Sequence, residues 1–135
     1  MTDKPSIDKV IADFYSVFTN VNGAKPDFEL LRRICSPQLY FRSVGLLTNV
    51  SSLEMFILPR QKMLENGTLV DFKEWEIHEE TKIVQHMAQR YSVYKKSGVR
   101  EGNEFYETGH KFFQLIKIES AWKIVSVIWE DDKTP

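Results

Sequence analysis

The closing run of the chain, Phe105 to Glu130, constrains what everything before it must do. Two β-rich segments, Phe105 to Ile118 and Trp122 to Glu130, flank a short turn at Glu119-Ser120-Ala121. A strand with one wet face alternates apolar and polar residues. Here both parities carry bulk: Phe112, Ile116 and Ile118 against Phe113 and Leu115, then Val125, Val127 and Trp129 against Trp122, Ile124 and Ile128. The pair reads as a hairpin that needs cover on both faces. Helices with single apolar stripes cover one face only, so the other predicts a partner subunit.

The preceding chain supplies those helices. Ser6 reads as an N-cap, with Asp8 in the first turn. Ile7, Val10, Ile11, Phe14, Phe18 and Val21 follow at helical spacing, ending at Asn22-Gly23. Tyr15 lies beside that stripe, free to pack its ring and turn its hydroxyl elsewhere. Asp27 caps a second, short helix that buries Phe28, Leu30, Leu31 and Ile34, places Arg32 and Arg33 near its end, and stops before Pro37. Leu39 to Leu47 predicts a first strand. Ser51-x-x-Glu54 is a capping box opening a third helix with Leu53, Phe56, Ile57, Met63 and Leu64 inward. Pro59 interrupts it and predicts a kink or split, with Arg60 next. From Thr68 the period is that of strands: Leu69 to Glu80, a turn at Glu80-Thr81-Lys82, Ile83 to Lys96, a polar loop from Ser97 to Glu104, and the closing hairpin. Asp131 to Pro135 is a polar tail. The order is helix, helix, strand, helix, four strands, and predicts an α+β fold with the helices layered on a curved, mainly antiparallel sheet. Residues 1–135 read as a single domain.

Lys and Arg number 18 against 19 Asp and Glu, for a net charge of −1. That balance gives no electrostatic case for nucleic acid. The basic cluster Lys95-Lys96 with Arg100 reads as part of a solvated loop. No window approaches the roughly 18 apolar residues of a membrane span, and no apolar leader follows the N-terminus. Cys35, the single cysteine, reads as a buried small hydrophobe in a reducing compartment. A soluble, cytoplasmic protein is expected.

The layout resembles the nuclear transport factor 2-like superfamily, the cystatin-like cone fold, over about Ser6 to Asp131. Ser120-Ala121-Trp122-Lys123-Ile124-Val125 is similar to its closing-hairpin motif, especially in the polyketide-cyclase (SnoaL-like) and ketosteroid-isomerase-like branches. The resemblance implies a pocket between the helices and the concave sheet face, and dimerisation through the convex face. It does not fix a reaction, because the superfamily holds isomerases, dehydratases, cyclases and non-catalytic association domains. The isomerase branch uses a tyrosine on the first helix, an aspartate base on the first strand and a second acid on the sheet. Tyr15 suits the first role, but Arg42 stands near the base position and cannot abstract a proton at pH 7. Gly109-His110-Lys111 holds no carboxylate for the third role.

Several residues qualify for chemistry on their own terms. Histidine is the side-chain type suited to acid–base work near neutral pH, and a rough register sets His110 on the face of Phe112 and beside Trp129. An acid–base role requires it to face the concave pocket, with Tyr15 as hydrogen-bond donor. Arg60 suits a carboxylate ligand. Phe41, Trp75, Tyr91 and Trp129, with Tyr15, either line an apolar cavity or fill it. Glu74 and Glu76 share a parity and read as a solvated strand face. His78 and His86 lack a third ligand, so no metal is expected. No phosphate loop, catalytic serine spacing or cysteine pair calls for a cofactor. The leading expectation is a homodimer binding a small apolar or weakly acidic molecule, with Tyr15, Phe41, Arg60, Trp75, Tyr91, His110 and Trp129 at the site. An enzyme using His110, and an association module with a filled cavity, are the alternatives.

Overall fold

The computed structural model describes residues 3–45 and 49–132. Its elements are α1 (Asp3–Ser16), a 3-10 turn (Val21–Gly23), α2 (Phe28–Ile34), β1 (Cys35–Ser43), β2 (Asn49–Ser52), α3 (Leu53–Glu65), β3 (Leu69–Val84), β4 (Met87–Arg100), β5 (Asn103–Ile118) and β6 (Ala121–Asp131). The strands form one sheet in the order β2-β1-β6-β5-β4-β3. All pairings are antiparallel except β1 with β6. The helices cover one face, giving an α+β cone.

The expected helices form, with shifted ends. α1 starts at Asp3, so Ser6 is inside it and is not its cap. Pro5 is tolerated there because a first-turn N–H has no helical partner. The Asp3 carboxylate also accepts from Trp122 Nε1 at 3.0 Å and Lys117 Nζ at 2.9 Å, tying the helix start to the sheet. α1 ends at Ser16 rather than Val21 because Asn20 is recruited by the neighbouring strand. Its side chain donates to Leu69 O and accepts from Phe72 N, and its N–H donates to Phe72 O. Asp27 caps α2 through Leu30 N, as expected. Ser52, one residue past the predicted Ser51, caps α3 through Met55 N. α3 runs unbroken through Pro59, which faces solvent. The predicted split is absent, since packing of Phe56, Ile57 and Leu64 holds both halves.

β3, β5 and β6 are longer than expected, and β1 and β4 are shifted along the chain. β1 begins at Cys35, four residues before Leu39, and the predicted strand's last residues, Leu46 and Leu47, lie outside the described residues. β2 was not anticipated. Glu80-Thr81-Lys82 is strand, and the β3–β4 turn falls at Gln85-His86. The predicted loop from Ser97 to Glu104 contracts to the two-residue turn Glu101-Gly102. The closing hairpin turns at Glu119-Ser120.

The buried side chains form one cluster between the helices and the concave face. Phe14 of α1 sits at its centre, 5.0 Å from Phe113 and 5.6 Å from Tyr15 between ring centroids.

Candidate functional site

A cavity of about 220 Å³ opens where α1 and α3 diverge from the sheet. α3 contributes Phe56, Arg60 and Met63, α1 Phe14, the turn after it Phe18, and the strands Phe41, Phe72, Val127 and Trp129. Two further lining groups, Glu74 of β3 and Lys111 of β5, come from the concave face, and Lys96 and Arg100 of β4 join them. A larger, shallower groove of about 680 Å³ crosses the far ends of β3 to β5, past Val84, Met87 and Ile116. Its charged members Glu80 and Lys82 are exposed, so no charge there is desolvated. The smaller cavity is the chemically marked one.

Arg60 defines its character. Its guanidinium carbon lies 3.7 Å from the Phe56 ring centroid and 5.7 Å from that of Trp129. Phe56 is in turn stacked on Phe41 at 3.7 Å and 8°. One guanidinium N–H donates to Phe56 O at 3.0 Å. No carboxylate among the described residues lies within ion-pair distance of Arg60. Burial pulls its pKa down to about 10, with Glu74 and Asp131 acting weakly in the other direction. It stays a cation at pH 7, desolvated and stacked on aromatic rings.

The other cations are paired. Lys111 meets Glu74 at 3.0 Å, and Lys96 meets Asp131 at 2.9 Å and Glu107 at 3.7 Å. Arg100 lies 3.8 Å from Glu107. Four cations (Arg60, Lys96, Arg100, Lys111) against three carboxylates (Glu74, Glu107, Asp131) leave one positive charge in excess.

The predicted site residues divide between two faces. Phe41, Arg60 and Trp129 line the cavity. Tyr15 is buried behind it, its hydroxyl 2.8 Å from Ser92 Oγ. Trp75, Tyr91 and His110 lie on the convex face, where Trp75 opposes Lys95 and Tyr91 opposes Phe112. His110 pairs across β6 with Glu130, and Trp129 pairs with Lys111. His110 therefore does share the face of Phe112 but not that of Trp129, and it is 43 % exposed. Its ring is held by Tyr91 Oη at 2.8 Å and Asp132 at 3.0 Å. The requirement for acid–base work in the pocket is not met.

Sequence reasoning missed the interior charges. Glu74 and Glu76 do not face solvent: Glu74 meets Lys111, and Glu76 accepts from Arg90 and Ser92. Lys96 and Arg100 belong to a strand rather than a loop and reach the cavity. The available signal was the parity of Lys111 with Phe113 and Leu115, an apolar run with one cation in phase. Arg42 is exposed, and His78 opposes Val93 while His86 lies in a turn. No described helix is long and apolar enough to cross a membrane.

No family model and no curated protein matches the chain. Solved structures do. A protein of unknown function with a cystatin-like fold from Nostoc punctiforme superposes with TM-score 0.76 at 14 % identity, covering 98 % of this chain and 92 % of that one. An NTF2-like protein from Cytophaga hutchinsonii gives TM-score 0.75 at 12 % identity over 98 % and 100 %. A type 2 hexachlorocyclohexane dehydrochlorinase gives 0.79 at 11 % identity over 96 % and 85 %. At these identities the likeness speaks to architecture, and the chain has the NTF2-like, cystatin-like cone fold.

Proposed function

We propose that this protein binds a small, mainly apolar monoanion in the cone cavity and acts as a homodimer. The observation that carries the ligand reading is Arg60: a desolvated cation without a carboxylate partner among the described residues, set in an aromatic-walled cavity. A guanidinium in such a place gains most from a bidentate carboxylate. Volume narrows the ligand. A cavity of about 150 Å³ accepts benzene, so about 220 Å³ suits one ring with a short acidic arm. The single excess positive charge favours a monoanion. The open cavity also favours ligand binding over a filled association module.

4-Methylbenzoate is a suitable probe, read by calorimetry or by Trp129 fluorescence. Arg60→Leu is expected to weaken it about 10- to 100-fold, the value of a charge-assisted hydrogen bond. Equal binding of neutral p-xylene, with no effect of Arg60→Leu, would overturn the reading.

The homodimer rests on the convex face. Tyr91, Phe112 and Ile128 run side by side across β4, β5 and β6, with Phe112 46 % and Ile128 41 % exposed. Tyr106 and Met87 extend the patch. Such a surface suits an isologous interface. Light scattering should give about twice the 15.8 kDa chain mass, reduced to the chain mass by Phe112→Glu. A wild-type mass of one chain at micromolar concentration would count against it. The lone, buried Cys35 fits a reducing, cytoplasmic setting.

A further inference from the structure

Lys111 is held deep in the cavity wall. Its side chain is 7 % exposed and that of its partner Glu74 8 %. Its Nζ lies 3.0 Å from Glu74 Oε2 and 3.6 Å from the Tyr94 ring centroid. The depth follows from register, because Lys111 sits opposite Ser92 on β4 and Trp129 on β6 in the middle of the concave face. A buried ion pair stabilises a fold no better than apolar side chains of the same volume. Phe113 and Leu115, next in phase on the same strand, show that alternative in place. The pair therefore invites a chemical explanation.

Desolvated lysines beside a proton-carrying group are the amines that condense with carbonyl compounds. Burial pushes the Lys111 ammonium below its ordinary range, against the pull of Glu74. Lys111 and Glu74 both line the same cavity as Arg60. We infer that Lys111 is a covalent site, whose Nζ condenses with the carbonyl carbon of a small aromatic aldehyde or ketone seated in the cavity. The inference rests on the ligand reading above, and it adds a carbonyl to the acid that Arg60 receives.

The step balances without a further reagent. Glu74 takes one proton from the Lys111 ammonium, and the free amine attacks the carbonyl carbon. The C–N bond forms, and one nitrogen proton passes to the former carbonyl oxygen, giving a carbinolamine. Glu74 returns its proton to that hydroxyl, the C–O bond breaks and water leaves. Ammonium plus carbonyl becomes iminium plus water. The positive charge stays on nitrogen, so its pairing with Glu74 survives the reaction.

The test uses 4-formylbenzoate with sodium cyanoborohydride, which reduces the iminium to a stable amine. Labelled peptides are mapped by mass spectrometry. The expected result is one carboxybenzyl group on Lys111, formed at least about tenfold faster than on exposed lysines such as Lys9 and Lys73. Unreactive 4-methylbenzoate should slow it. Lys111→Arg should remove that adduct, and Glu74→Gln should slow it, with labelling at Lys9 and Lys73 unchanged in both. Lys111 labelled no faster than Lys9 or Lys73 in the wild-type protein would overturn the inference, whatever the variants do. Benzaldehyde separates the two readings. Fast labelling of Lys111 by benzaldehyde without any binding of 4-methylbenzoate upholds the covalent site and removes the acid subsite. Binding of 4-methylbenzoate with Lys111 unlabelled does the reverse.

Discussion

Gly109 shows how one missing side chain makes room for the ring that lies under Lys111. A Cβ there would fall 2.2 Å from Tyr94 Oη and 2.7 Å from Glu130 O. The tyrosine ring occupies that space, fully buried, and hydrogen-bonds Asp131 while lying under Lys111. Gly109→Ala must displace it, and overpacking of this kind costs about 1–3 kcal/mol. Thermal unfolding should fall by several degrees, and an unchanged Tm would refute the packing argument. Cys35 makes a second residue-scale prediction. It is 3 % exposed, and burial raises its thiol pKa to about 12, against a small opposing effect of Lys123. At pH 8 only about one thiol in ten thousand is ionised. Cys35 should resist a disulfide reagent in the native protein and react on addition of denaturant; rapid native reaction would contradict this.

At the scale of elements, legibility followed the hydrophobic pattern and failed where that pattern is broken on purpose. Asp27 and the stripe from Ile7 to Phe14 announce helices because their apolar faces meet the core. β3 and β4 place Glu74, Glu76, Arg90 and Lys96 on the inner face, where alternation assigns apolar residues. Those charges satisfy one another across strands, and partners of that kind are not visible in a local window. Outward-facing charges, Glu80 and Lys82, disguised Glu80-Thr81-Lys82 as a turn. Two-residue turns were hidden for a different reason. Glu119 (φ 49°) and Ser120 (φ 71°) both occupy the left-handed region that Asn-Gly favours. Cross-strand pairing of Lys117 with Trp122 and Ile118 with Ala121 imposes that conformation. Replacing the pair by Glu119→Asn with Ser120→Gly should relieve it and stabilise the protein by about 1 kcal/mol. A chemical-denaturation midpoint that does not rise would show that the turn carries no such cost.

At the scale of the molecule, α1 is fastened to the sheet by charge as well as by Phe14. Arg90, 3 % exposed, bridges Asp8 of α1 to Glu76 and Glu79 of β3, and Lys4 joins Asp8 to Glu79 at 2.9 Å on both sides. The carboxylates respond in one direction. Burial would raise Asp8, but Arg90 and Lys4 outweigh it and hold it below the usual range. A hydrogen bond from Thr81, then Lys4 and Arg90, lower Glu79 against its burial. Asp131 is lowered too, Lys96 and Tyr94 overcoming its burial. A carboxyl whose folded pKa lies below its unfolded value binds fewer protons when folded. Its contribution is complete above the unfolded value near pH 4 and is lost as pH falls through the folded value. Stability should therefore be flat from about pH 7 to pH 5 and drop steeply below about pH 4. Arg90→Met separates this from general acid effects. It leaves the partly buried Glu76 without its cation, at a cost of about 1–3 kcal/mol at pH 7. It also releases Asp8 and Glu79 toward ordinary values. The variant's unfolding free energy, followed from pH 7 to pH 3, should decline less than the wild type's. Parallel pH curves for the two proteins would place the acid sensitivity somewhere other than this clasp.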